Sequence, residues 1–74
     1  MERYLNLSGD SGVAGYKIGV DYILVQFHTG MSYRYSYARA GRHHVERMKV
    51  LAGAGRGLST YISRHVYDRY DHGA

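Results

Sequence analysis

Apolar and aromatic residues crowd two short runs, residues 22 to 28 and 31 to 37, with Thr29 and Gly30 between them. β-Branched and aromatic residues on both sides of a glycine turn predict a β-hairpin. The loop length decides which side chains share a face, because a slip of one residue turns every side chain over. A two-residue loop sets Phe27 opposite Ser32 and Val25 opposite Arg34. A three-residue loop over residues 28 to 30, with Gly30 in the left-handed bulge position, sets Phe27 opposite Met31, Val25 opposite Tyr33 and Ile23 opposite Tyr35. Only the second makes an apolar face. It places Ile23, Val25, Phe27, Met31, Tyr33 and Tyr35 inside, and Tyr22, Leu24, Gln26, Ser32, Arg34 and Ser36 outside. A further strand at Val13 to Ile18, ending in the turn Gly19-Val20-Asp21, completes a three-stranded antiparallel meander.

Beyond Gly41 the period changes. Val45, Met48, Leu51 and Ala52 fall at i, i+3, i+6 and i+7, and Leu58, Tyr61, Ile62, His65 and Val66 at i, i+3, i+4, i+7 and i+8, the stripes of two amphipathic helices. Gly53, Gly55 and Gly57 within five residues break them apart. The predicted class is α+β: a three-stranded antiparallel β-meander followed by two helices packed on its one apolar face. Residues 1 to 74 form one domain, with residues 1 to 10 read as a flexible N-terminal segment and 71 to 74 as a tail. His65, on the apolar stripe, is expected to be a hydrogen-bonded core histidine.

Composition changes this picture in one respect. Six Val, five Leu, three Ile and one Phe in 74 residues sit at the border below which charged chains stay disordered. Nine tyrosines supply the missing apolar area as half-buried rings with polar tips. The length excludes a two-domain enzyme and a large cofactor cleft. With no cysteine there is no disulfide and no thiolate zinc site, so a thin core points to self-association, most simply a two-fold dimer. No stretch approaches the ~18 apolar residues of a membrane span, and Met1-Glu2-Arg3-Tyr4 lacks the profile of a secretory signal. The expectation is a soluble cytoplasmic protein without membrane association.

Charge is concentrated in the middle of the chain. Residues 34 to 64 carry Arg34, Arg39, Arg42, Arg47, Lys49, Arg56 and Arg64 against Glu46 alone, whereas the flanking stretches are each slightly acidic, and the whole chain is +4. Eight of the ten cations are arginine, which suits bidentate recognition of phosphate.

Several constellations bear on what such a charge meets. Tyr33, Tyr35 and Tyr37 alternating with Arg34 have the composition of a stacking platform for single-stranded nucleic acid. The hairpin register instead puts Tyr33 and Tyr35 on the covered face, which leaves Tyr22, Gln26, Ser32, Arg34 and Ser36 as the open platform. Residues 53 to 60 form a glycine loop opening a helix, where Gly55 amides with Arg56, Ser59 and Thr60 would receive a phosphate; the same residues also make a plain turn between helices. His43 and Glu46 lie one helical turn apart but miss the zinc-binding spacing, so no metal is expected. Arginine, histidine and tyrosine permit metal-independent RNA cleavage, yet no spacing of a catalytic set is recognisable.

The order Gly15-Tyr16, a strand ending in Phe27, Gly30, Tyr33-Arg34-Tyr35, an Ala- and Gly-rich break at Ala52 to Gly57, the Tyr61-Ile62 helix and Tyr70 resembles the KTSC domain, found as an extension of some lysyl-tRNA synthetases and as a free-standing small protein of bacteria and phages. The resemblance covers about residues 11 to 70. It departs from the family at Ala40-Gly41, where Val-Pro is common, and at Ala54, where a serine is common. It implies a binding module, for RNA among other ligands, and no established activity.

The reading is therefore a non-catalytic binding module for a phosphate-bearing ligand, RNA or a nucleotide-derived molecule, without cofactor. Its candidate contacts are Tyr22, Tyr33, Arg34, Tyr35, Arg39, Arg42, Gly55, Arg56, Ser59 and Thr60. The alternatives are a phage-type counter-defence protein that sequesters a nucleotide signal at an oligomer interface, a small metal-independent ribonuclease, and a basic face that docks an acidic protein.

Overall fold

A computed structural model describes residues 1–9 and 11–71 of the chain. Four antiparallel strands run in sequence order: β1 (Glu2–Arg3), β2 (Val13–Ile18), β3 (Tyr22–Phe27) and β4 (Ser32–Ser36). A helical turn α1 (Tyr37–Ala40), a long helix α2 (Arg42–Ala54) and a short helix α3 (Leu58–Tyr61) follow, and α3 runs on into a π-helical stretch, Ile62–Val66. The class is α+β, with four strands in place of the three expected.

The hairpin adopts the register that makes an apolar face. Ile23 lies opposite Tyr35 and Val25 opposite Tyr33. The Phe27 N–H donates to the Met31 carbonyl at 2.8 Å, and Gly30 takes φ +92°, which a side chain would disfavour. Ile23, Val25 and Tyr35 are buried as expected, and Phe27 and Tyr33 are half-buried. Two assignments are corrected. Met31 is 54% exposed, because it lies at the tip of the hairpin. Ser36 is buried: its hydroxyl accepts the Arg39 N–H at 3.3 Å, capping α1, and donates to Asp71 at 2.6 Å. The strand accordingly ends at Ser36, and Tyr37 begins a helix instead of extending the Tyr33/Tyr35 alternation.

Residues 1–9 are the larger correction, since they are built into the fold. β1 pairs with β2, placing Glu2 opposite Tyr16. Tyr4 is 3% exposed, and the Leu7 N–H donates to the Gly55 carbonyl at 2.7 Å. The signal was faint in sequence because a two-residue strand has no period to detect.

The helices close over one face of the sheet. Val45, Met48 and Ala52 of α2, then Leu58, Ile62 and Val66, meet Val13, Ile23, Val25, Tyr35 and Tyr4 in one core. Helix α2 reaches Ala54, so Gly53 does not break it; the break comes at Gly55 and Gly57, both left-handed. His65 is exposed, contrary to the expected core position. The wider π turn keeps residues 58, 62 and 66, four apart, on the buried side and carries His65 away from it. No helix among the described residues is long and apolar enough to cross a membrane.

Candidate functional site

A groove of about 340 Å³ opens where the end of the β3–β4 hairpin meets the last helix. Phe27, Tyr33 and Tyr35 form its sheet wall; Ser59, Ile62, Ser63 and Tyr67 form the helix wall, and Tyr70 completes it. The rings are nested: Tyr33 lies 4.6 Å from Tyr70 between centroids and 5.7 Å, edge to face, from Phe27, and Tyr35 lies 6.4 Å from Tyr70. Such tilted pairs stabilise one another and leave ring faces and edges for a flat guest. Burial, with the neighbouring Tyr33 and Tyr70 phenols adding to it, pushes the Tyr35 hydroxyl up to about 12, so it stays protonated as a hydrogen-bond donor. No charged side chain among the described residues lines this groove.

Next to it is a smaller recess of about 130 Å³, lined by Ser8, Ser11, Gly57, Ser59 and Thr60. Four of these residues carry hydroxyls, two of them on the segment before β2, where the Ser11 hydroxyl also accepts the Val13 N–H at 3.2 Å. Asn6, left-handed at φ +54°, sets the bend of that segment by accepting the Ser11 N–H on its side-chain oxygen at 3.0 Å. Ser59 lines both cavities, so an aromatic chamber and a polar one meet at a single side chain.

The candidate residues named from sequence fall in different places. Tyr33 and Tyr35 lie in the groove, and Ser59 and Thr60 in the recess. Gly55 belongs to the turn and offers no open cradle: its N–H is taken by the Leu51 and Ala52 carbonyls, and a Cβ there would stand 2.7 Å from the Leu5 Cβ. Arg56 is exposed beside it. Tyr22 and Arg34 sit on the open face of the sheet, where the guanidinium lies 4.4 Å over the Tyr22 ring and 3.3 Å from the Asp71 carboxylate, its charge already engaged. Arg39 and Arg42 flank Gly41 at the α1–α2 junction, and Arg42 approaches the Tyr37 ring at 5.9 Å. There Tyr37 donates to Glu46 at 2.6 Å, which raises the phenol's pKa. Bonds from Lys49 and then Tyr37 hold the Glu46 carboxyl below its ordinary value.

Sequence reasoning missed Ser8, Ser11, Ser63, Tyr67 and Tyr70 as site residues. For three of the site residues a signal existed: Ser59, Ser63 and Tyr67 are four apart, one polar line along a helix beside the apolar line of 58, 62 and 66. For Ser8 and Ser11 none existed, because only the fold brings that segment to α3.

Comparison with protein-family models, with curated proteins and with solved structures finds no match to this chain.

Proposed function

We propose that this chain is a small non-catalytic binding module for a nucleotide-class ligand, with the base in the tyrosine groove and the phosphate-bearing sugar end toward the hydroxyl recess. The observation that carries the reading is the junction at Ser59 of an uncharged aromatic chamber with a recess of four hydroxyls. Stacking on tyrosine is indifferent to base identity, and hydroxyls bond equally to ribose and phosphate oxygens. The groove's 340 Å³ is at the small end of ligand pockets, which favours one nucleotide over a long strand. The likeness to the KTSC domain rests on residue order alone and adds only the expectation of a binding role.

The rim supports a second copy as part of the site. Tyr67 is 72% exposed although it lines the groove, and Met31, 54% exposed, joins the same hairpin end. A two-fold partner laid over these side chains would enclose the nucleotide, as a sequestering protein requires.

Calorimetry with adenosine monophosphate and with a short single-stranded RNA tests the proposal. Tyr67→Ala and Ser59→Ala should each weaken mononucleotide binding by about tenfold, the worth of a stacked ring or of a hydrogen bond at the upper end of its range. Because no cation among the described residues lines the groove, affinity should change little between about 50 and about 200 mM salt. Wild-type affinity in both variants would overturn the assignment. RNA binding with a steep salt dependence and no sensitivity to these changes would move the function to the Arg39, Arg42 and Arg47 face.

A further inference from the structure

Outside the groove and the recess, four rings from α2 and the last helical segments gather. His43 and His44 come from α2, Tyr61 from α3, and His65 from the π-helical stretch. The His44 Nδ1 lies 2.8 Å from the Tyr61 hydroxyl. The His44 and His65 rings stack at 5.6 Å, Tyr61 lies 4.4 Å from His65, and His43 lies 5.6 Å from His44. Arg69 is held in the turn just after, its N–H donating to the Val66 carbonyl at 2.9 Å.

We propose that His44 and His65, with His43 and Tyr61, form a second ligand site, one that takes a tetrahedral oxyanion of the phosphate class and does so as the imidazoles take up protons. Tyr61 fixes the His44 ring through Nδ1, which leaves Nε2 with no protein partner among the described residues. Stacked imidazoles repel once charged, and an anion between or across them removes that repulsion. Desolvation first, and then the charges of His43, His65 and Arg69, hold His44 below the ordinary histidine value. An oxyanion reverses those three charge effects, so its binding and proton uptake are linked.

Of the surrounding charges, two arginines favour an anion and one free carboxylate, Asp68, opposes it. Arg47 and Arg64 stand exposed on the same two helical segments. Glu46, one turn after His43, is occupied by Tyr37 at 2.6 Å and Lys49 at 2.7 Å. Asp68, one turn after His65, is exposed and joins no ion pair among the described residues. No group of three or more histidine, cysteine or acidic residues among the described residues is placed to hold a metal.

Histidine Cε1–H resonances followed by NMR from about pH 8 to about pH 5, with and without sodium sulfate, test this, because sulfate keeps its charge across the range. The His44 midpoint should rise by about one pH unit with sulfate, and sulfate added at a fixed pH near 6 should shift the His65 resonance and leave that of His28, on the hairpin loop, in place. His65→Gln, at an exposed position, should abolish the His44 response with the amide spectrum unchanged; Lys17→Gln, a cation on the sheet, should leave it intact. A uniform response of all histidines, no response, or a His44 response that survives His65→Gln overturns the proposal. A 5′-phosphorylated dinucleotide and its 5′-hydroxyl counterpart then separate the sources. A response to the former alone assigns a terminal phosphate, a response to both assigns a phosphodiester, and a response to sulfate only assigns a free oxyanion.

Discussion

Tyr4 and Tyr35 show how this chain uses phenols where other small domains use aliphatic side chains. The buried Tyr4 hydroxyl accepts the Leu58 N–H at 3.3 Å and so satisfies a helix-start donor that no local side chain caps. Tyr4→Phe keeps the ring and orphans that N–H, which should cost about 1 to 2 kcal/mol and lower Tm by roughly 4 to 15 °C in a thermal melt. Tyr35 is a matter of pH. Its folded pKa, about 12, lies above the ordinary 10.0, so between these values the unfolded state has released the proton that the folded state retains. Stability from this group is complete below about pH 10 and is lost as pH rises toward 12, and urea melts across that window should show Tyr35→Phe losing less stability than the wild type. Both tyrosines were countable in sequence, and Tyr35 was correctly placed inside. The partner of Tyr4 was not legible, because it lies 54 residues away.

Among the elements, the hairpin was readable and the junctions were not. A strand pair declares its register through alternation and one glycine, and Gly30, Val25 and Tyr33 sufficed. The α2–α3 junction depends on what lies over it. Gly55 has φ +76° and its Cβ position is crowded by Leu5, so Gly55→Val should destabilise the fold by about 2 kcal/mol or more in denaturant melts, with or without ligand. Arg56→Ala, exposed next door, should change stability by less than about 0.5 kcal/mol. If Arg56→Ala leaves nucleotide affinity unaltered as well, the arginine is solvated surface, and the recess hydroxyls alone hold the polar end. The π turn was equally hidden: the stripe through Leu58, Ile62 and Val66 is compatible with an α-helix, and the wider turn that leaves His65 exposed shows only in the folded chain.

For the whole molecule, the unresolved balance is between a core drawn from few aliphatic residues and the apolar side chains left outside, among them Val20 at 90%, Leu5 at 62% and Val50 at 61% exposed. A homodimer is the expected outcome. Light scattering at high micromolar concentration should return about twice the 8.4 kDa chain mass, and a monomer there would remove the enclosed form of the proposed nucleotide site. What the sequence determined by itself is what travels with local pattern: the class, the hairpin and its register, α2, and the inward place of Tyr35, all set by periods of two or about 3.6 residues and by glycines at turns. What tertiary structure decided is what depends on residues distant in the chain meeting: the fourth strand, the N-terminal segment over Gly55, the helix that turns His65 toward His44, and the joining of groove and recess at Ser59. Local preferences fix which face a side chain presents, and only the closing of the helices over the sheet fixes what that face meets.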